Sequence, residues 1–522
     1  MNGPALAGPA LADSALDVVV PDDADLSPAA IANTAGLTAE DLAAFSALVT
    51  RLRALSPDHP LRLRAERVAE SFARDGRRTR RLGRRADQSR ADARINDATV
   101  LGAADRRMDA PMPDPAEPSP GKFGRARHCY VCKQPYRRAD VFYHRLCPSC
   151  AQANFARRAA GTDLSGRRVL LTGGRVKIGF QLALMMLRDG ADLIVTSRFP
   201  QDTIQRFTAA PGSAHWLDRL TVVGIDLRDP RQVIGFCDDL LASGRGLDIV
   251  VNNAAQTVRR PADAYALLAA GELRALAAAG NGSGPGTATS PTGPVPVLLA
   301  PGYQPMAVPA ALPSALRAPA ELTGVNELVG LPSAPYPLSA APPSPAIALR
   351  ETDEAGLLPD LAPENSWSAR LGELDPAELL ETHLVNALAP ALLCDRLLPL
   401  LDASAFPRRY IVNVTAVEGR FTVRNKTSGH PHTNMAKAAL NMLTRTSAAD
   451  LAERGIYLCA VDTGWITDEN PAPKRERMAE AGFRTPLDIV DGAARVYDPI
   501  LRGEAGDPVF GVFLKDYKEA AW

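Results

Sequence analysis

Apolar and polar positions along the chain fall into three textures. From Val169 onward, short apolar runs recur at Val169–Leu171, Ala191–Ser197, Leu220–Asp226, Leu247–Asn253, Arg409–Val414 and Ile456–Val461, separated by amphipathic sequence of helix length. A continuous apolar run suits a strand covered on both faces, and strand alternating with helix predicts an α/β fold with a doubly wound parallel sheet. Pro508–Tyr517 (PVFGVFLKDY) reads as the strand that closes it. Upstream the period is helical: Thr38 and Asp41 have the spacing of a capping box, Leu42, Phe45, Leu48, Val49, Leu52 and Leu55 follow at helical intervals, and Leu61–Phe72 continues as a second helix after Pro60. The third texture has no period. Residues 1–36, rich in Ala, Pro and Asp, read as a disordered tail. Residues 257–365 read as a mainly disordered or loosely packed insertion, because Asn281–Pro345 holds fifteen prolines and no charge lies between Ala275 and Leu316. Ala377–Leu401 then resumes as an apolar helix.

These textures divide the 522 residues into a tail (1–36), a helical basic region (37–108), a linker (109–125), a cysteine module (126–160) and an α/β domain (164–522) interrupted at 257–365. A hydrophobic content of 46% is enough for a core, and 59 basic against 59 acidic residues remove any global attraction to nucleic acid or membrane. One local exception is the run Arg74–Arg94, with nine arginines. It could neutralise phosphates, but no aromatic residue interleaves it for stacking and only eight of all the basic residues are Lys, so a solvated helix face is expected rather than nucleic-acid contact. Neither a basic-then-apolar leader nor an uninterrupted apolar run of about 18 residues is present, so the expected location is cytoplasmic, with no membrane association.

Four of the seven cysteines have metal spacing: Cys129-x-x-Cys132 and Cys147-x-x-Cys150, fourteen residues apart. Two such knuckles supply the four tetrahedral sulfurs of a structural zinc site, which leaves no open position for catalysis; disulfides or a redox pair are the alternatives. His128 and His144 stand beside them as alternate ligands. With no long spacer before Val169, this zinc-ribbon-like module is expected to pack on the α/β domain. Cys237, Cys394 and Cys459 sit singly in apolar surroundings and read as core.

The stretch Arg167–Gly179 (RRVLLTGGRVKIG) reads as a strand breaking into a glycine turn and a helix. Gly173 and Gly174 permit the turn, Gly179 lets the helix approach the sheet, and the helix N–H groups then face a pyrophosphate. At the end of the second strand stand Thr196, Ser197 and Arg198 with no carboxylate, and Arg175 and Lys177 lie in the loop. Positive charge there suits a 2′-phosphate, which favours NADP over NAD.

In order, TGGRVKIG (172–179), IDL (225–227), NNAA (252–255), Asn386 in LVNALAP, IVNV (411–414), Lys437 in NMAKAALN and TGWI (463–466) resemble the short-chain dehydrogenase/reductase family, from about Leu164 to the C-terminus. The resemblance implies a Rossmann fold and a nicotinamide-dependent oxidoreductase acting on an unidentified carbonyl or alcohol. It places Thr172, Gly173, Gly174, Arg175, Lys177, Ile178 and Gly179 around the cofactor phosphates, with glycine usual where Lys177 stands. It sets Asp226 against the adenine amine, Asn253 beneath the cofactor, Thr463 at the carboxamide end of the nicotinamide, and Lys437 on the nicotinamide ribose. The helices bearing Asn386 and Lys437 often form a dimer interface in this family, so a homo-oligomer is implied. Family chemistry also uses a Tyr four residues before the Lys, and a Ser after IVNV. Here those positions hold Thr433 and Ala416, with Thr415 beside the latter.

Three readings follow. A substitute proton donor, His430 or His432, serves with Asn386 and Lys437; or Thr433 holds a relaying water; or the fold binds NADP without hydride transfer, as a regulator or scaffold.

Overall fold

The computed structural model describes residues 38–114, 117–279, 295–305, 352–423 and 426–522, so the expected tail at 1–36 lies outside the described residues. The chain divides into two compact units, Met1–Ser89 and Arg90–Trp522. In the first, α1 (Ala39–Arg53) starts at the expected capping box: the Asp41 amide donates to Thr38 Oγ1 at 3.1 Å and the Thr38 amide to Asp41 Oδ2 at 2.7 Å. The next helix, α2, runs unbroken from Pro60 to Asp97, much further than Leu61–Phe72, and its last turns belong to the second unit. All nine arginines of Arg74–Arg94 lie along it and are exposed.

The second unit opens with a hairpin, β1 (Lys122–His128) and β2 (Pro135–Arg138), followed by α3 (Pro148–Ala159). Strand and helix then alternate as the apolar runs foretold: β3 (Arg168–Thr172), α4 (Lys177–Arg188), β4 (Asp192–Ser197), α5 (Pro200–Ala209), β5 (Leu220–Gly224), α6 (Pro230–Ala242) and β6 (Ile249–Asn252). The insertion contributes α7 (Ala266–Ala279) and β7 (Val297–Leu299). After it come α8 (Pro376–His383), one π-helical turn (Leu384–Leu388), α9 (Ala389–Arg396), α10 (Leu398–Asp402), β8 (Arg409–Thr415), α11 (Pro431–Glu453) and β9 (Ile456–Asp462). The chain ends with α12 (Ala472–Glu480), α13 (Ile489–Glu504), β10 (Phe513–Lys515) and β11 (Lys518–Ala520).

Among the described residues, nine strands make one sheet in the order β11-β10-β9-β8-β6-β3-β4-β5-β7, parallel except for the terminal β10–β11 pair. Successive side chains of a strand point to opposite faces. Thus Val169 and Leu171 of β3 join one core with Leu182 and Met186 of α4 and Val496 and Ile500 of α13, while Leu170 joins another with Val233 and Phe236 of α6, Leu393 of α9 and Leu451 of α11. Both faces are covered, which is why the runs are continuous rather than alternating. The winding reverses between β3 and β6, opening a crevice beyond their carboxyl ends.

Part of the insertion departs from the reading as loose chain. β7 pairs parallel to β5 (Val222↔Val297, Val223↔Leu298, Gly224↔Leu299) and extends the sheet by one strand. The prolines flank the short apolar run instead of interrupting it, and on an edge strand Pro296 still accepts, through its carbonyl, from the Val222 amide at 3.0 Å. The insertion's residues 280–294 and 306–351 are outside the described set.

The cysteine module packs on the α/β domain. Leu101, Phe123, Phe142, Tyr143 and Leu146 share a core with Ile466, Leu487 and Ile489. Within it Arg158, 3% exposed, reaches Asp488 at 2.5 Å and Asp491 at 3.3 Å, and the Tyr143 hydroxyl donates to Asp491 Oδ1 at 2.6 Å.

Candidate functional site

The glycine turn after β3 is built as its sequence requires. Gly173 sits at φ +71°, and a Cβ on Gly179 would come within 2.2 Å of the Gly173 carbonyl oxygen, so only glycine lets α4 start against the turn. Asn253, just past β6, fastens the loop by donating from Nδ2 to the carbonyls of Thr172 and Gly173, each at 3.0 Å, and Thr172 Oγ1 accepts from the Asn253 and Ala254 amides. Val176 caps α4 without a side-chain bond, and no acid occupies its first turn. The positive end of α4, with Ile178 and Gly179, therefore faces a cleft of about 410 Å³.

The three cations expected in this cleft have different surroundings. Arg175 is engaged: its Nη1 reaches Asp202 Oδ2 of α5 at 2.7 Å and the Ala355 carbonyl at 2.8 Å. Lys177 adopts φ +53°, the left-handed region in which glycine is favoured, and its ammonium points to Glu469 at 4.0 Å. Arg198 makes no ion pair among the described residues. Its guanidinium lies 4.8 Å from the Tyr265 ring centre and 5.7 Å from that of Phe199, at the open end of β4. Asp226 also lines the cleft, but its carboxylate is gripped by Arg228 through Nε at 3.0 Å and Nη2 at 2.6 Å. Burial alone would raise the Asp226 carboxyl, yet Arg228 holds it below the usual range.

Asn386 occupies the π-helical turn, fully buried, and clamps Gln256: Oδ1 accepts from its amide and Nδ2 donates to its carbonyl, both at 2.8 Å. Lys437 Nζ donates to the Val414 carbonyl at 2.9 Å, and burial lowers its pKa to about 8 despite the opposing pull of Glu418. Thr415 and Thr433 are each 2% exposed, and neither hydroxyl has a hydrogen-bond partner among the described residues. His432 is likewise sealed, both ring nitrogens without partners, and burial lowers its pKa to about 4. A neutral imidazole at pH 7 is a weak acid, so His432 is poorly placed to donate a proton. His430, at φ +42°, stacks on Trp367 with ring centres 4.1 Å apart and bonds the Trp367 carbonyl through Nδ1 at 2.9 Å. Thr463 directly follows β9 and does not line the cleft, whereas Thr467–Asn470 do.

Several residues that the motifs did not single out complete the cleft. Glu469 accepts from Thr467 Oγ1 at 2.8 Å and Thr257 Oγ1 at 3.1 Å; burial would raise its carboxyl, but Lys177 and these hydroxyls hold it below the usual range. Tyr265 comes from the insertion, as does a strap that follows the undescribed part. Asp353, Ala355, Leu357, Asp360 and Asn365 of that strap line the cleft. Its Leu358 amide bonds the Ala264 carbonyl at 3.1 Å, Asn365 Nδ2 the Glu469 carbonyl at 2.9 Å, and the Ala369 carbonyl accepts from the His430 amide at 2.9 Å. Only the position of the insertion, beside the substrate end of the sheet, could have pointed to them.

Away from the cleft, the sulfurs of Cys129, Cys132, Cys147 and Cys150 lie within 4.8 Å of one another, with Cys132 and Cys147 at 3.7 Å. A tetrahedron of sulfurs about 2.3 Å from one ion has edges of roughly 3.8 Å, so this cluster could hold a metal. His128 is exposed, and His144 Nε2 is taken up by the Arg484 carbonyl at 3.3 Å. All seven cysteines are free thiols, and Cys237, Cys394 and Cys459 are buried.

Sheet order, crevice and glycine turn define a Rossmann-type α/β protein. Residues 167–269 match the family model described as short chain dehydrogenase, and 356–487 the model described as Enoyl-(Acyl carrier protein) reductase. The chain is 32% identical over 126 residues to C-signal of Myxococcus xanthus, covering 24% of this chain and 74% of that protein. It is 27% identical over 392 residues to the uncharacterized protein R665 of Acanthamoeba polyphaga mimivirus, covering 72% and 71%. Among solved structures, a short chain dehydrogenase from Burkholderia cenocepacia J2315 in complex with NADP is 20% identical with a TM-score of 0.39, covering 67% of this chain and 96% of that one. The chain belongs to the short-chain dehydrogenase/reductase family of oxidoreductases.

Proposed function

We propose that this protein is an NADP-dependent oxidoreductase acting on a carbonyl or alcohol. The observation that carries the cofactor reading is Arg198: a guanidinium at the open end of β4, lining the cleft with no carboxylate at ion-pair distance among the described residues. Its charge is felt by Asp226, which Arg228 already grips. The uncapped start of α4 fits the pyrophosphate, and Arg198 with Ser197 fits the 2′-phosphate. Lys437, 5% exposed and bonded to the Val414 carbonyl, does not line the cleft, so its part on the nicotinamide ribose rests on the family resemblance. Bound NADPH supplies the hydride. The chain must supply the proton, and a threonine hydroxyl does not ionise usefully near pH 7. Thr433 instead holds a relaying water, which would satisfy a buried hydroxyl that the described residues leave without a partner. The buried ammonium of Lys437 favours the anionic side of that transfer.

A second reading, nucleotide binding without turnover, is favoured by Thr433 in the tyrosine position together with the Trp367–His430 stack over the start of α11. The two separate in one experiment: NADPH is titrated into the protein by fluorescence, then its oxidation is followed with a broad panel of aldehydes and ketones. Binding with oxidation supports the enzyme, and binding with none across the panel supports the regulator.

Zinc is the ion the four sulfurs suit, in a closed structural site; elemental analysis should find about one per chain. The homo-oligomer forms through the outer faces of the π-helical turn and α11, which expose Leu388 (51%), Met435 (54%) and Met442 (56%). A monomeric mass by light scattering would overturn that assignment.

A further inference from the structure

We propose that Tyr130, carried on the first cysteine knuckle, is a positioning residue for the loop leading from β9 into the cleft, so that metal occupancy of the knuckles sets how tightly the cleft holds a dinucleotide. This rests on the reading of the cleft as an NADP site.

Tyr130 lies between two of the sulfurs, in Cys129-Tyr-Val-Cys132, and its backbone is fixed further by its amide bonding the Arg145 carbonyl at 2.8 Å. Its hydroxyl crosses to the α/β domain and accepts from the Trp465 amide at 2.9 Å. Gly464 beside it, at φ +85°, must be glycine because a Cβ would come within 2.6 Å of Leu487 Cδ1. The Lys515 ammonium lies 5.7 Å from the Tyr130 ring centre and pairs at 2.7 Å with Asp462, the last residue of β9. The loop is thus held at Asp462 and again at Trp465. Two residues after Trp465 the chain enters the cleft wall, Thr467–Asn470, where Glu469 meets Lys177 at the mouth of α4. Ile466, between the two, is buried in the module's own core.

The physical chain is short. A bound ion fixes two sulfurs of each knuckle and with them the backbone of Tyr130; emptying the site releases that constraint. The Trp465 amide then loses a fixed acceptor, and the wall segment loses its anchor. The adenine end of the cleft, built on the residues at the ends of β4 and β5, is untouched by this path.

The test uses the full chain, wild type and Tyr130→Phe, each with its metal content measured, and two probes: NADPH, which spans the cleft, and 2′,5′-ADP, which occupies only the adenine end. Tyr130→Phe with full metal should weaken NADPH about fivefold, the worth of one hydrogen bond, while 2′,5′-ADP binds as before. Chelator-treated wild type should show the same split. Equal loss for both probes, or no loss in either, overturns the proposal. Hydrogen exchange at residues 463–470, measured without nucleotide, decides the loop claim independently: faster exchange in Tyr130→Phe is required, and unchanged exchange refutes it. If the intact protein binds neither probe, the cofactor reading falls, while the exchange result still decides the claim about Tyr130.

Discussion

At the scale of single residues, the cleft separates charges that look alike in sequence. Arg175 and Arg198 are both arginines near the phosphate end, but Asp202 neutralises only the first. Arg198→Ala should therefore cut the preference for NADPH over NADH by about tenfold to a hundredfold, the range of a charge-assisted contact, whereas Arg175→Ala should act mainly on stability; binding isotherms with both nucleotides check this. His432 supports a second prediction. Its pKa falls from about 6.5 in the unfolded chain to about 4 in the fold, so between those values the unfolded state binds the extra proton. Stability is then full above about pH 6.5 and declines on acidification toward pH 4, at on the order of 1.4 kcal/mol per pH unit from this one group. Denaturant unfolding of wild type and His432→Gln across that range should show a shallower decline in the variant. Motif spacing marked the glycine turn, whose conformation is set by its own backbone. Asn253, Asn386 and Lys437 were marked by family resemblance, and each is held by a partner distant in the chain, Gly173, Gln256 and Val414 respectively. Sequence could not show that Asp226 is claimed by Arg228 or Arg175 by Asp202, since side-chain pairing is decided by packing.

At the scale of elements, the six central strands were legible because a strand buried on both faces must be apolar throughout, and their ends shifted by only a residue or two. β7 was not legible. Three apolar residues among prolines carry no period, and their partner β5 lies more than seventy positions away. Because Val297 is 3% exposed against the sheet, Val297→Asp should destabilise the second unit by about 3–5 kcal/mol, as an unpaired buried charge does. A loosely attached insertion would leave the urea midpoint unchanged. Lys177 at the head of α4 is the converse case: sequence marked it as out of place, and the positive φ gives the physical reason. Lys177→Gly removes strain of roughly 1–2 kcal/mol and the ion pair with Glu469 together, so its effect on thermal stability should be small.

At the scale of the whole molecule, the second unit joins a sheet-centred core to a cysteine module through buried polar contacts. Arg158 between Asp488 and Asp491 is one of these. Arg158→Met leaves two carboxylates facing each other without a counter-charge, and a loss of about 3–5 kcal/mol is expected in calorimetry. No helix among the described residues is long and apolar enough to cross a membrane. The four-sulfur cluster was legible from spacing alone; its attachment to the chain after β9 was not, because nothing in either segment announces the other.

The strap formed by residues 353–369 has a kinetic consequence. It returns from the insertion across the cleft and is tied to Ala264, to Glu469 and to His430, each through a main-chain atom. Under the proposed reading of the cleft as a nucleotide site, a molecule lodged beneath the strap leaves more slowly while those ties hold. Dwell times should accordingly be long enough for a nicotinamide chromophore to travel with the protein through gel filtration, and Trp367→Ala, by undoing the stack on His430, should shorten them in stopped-flow displacement.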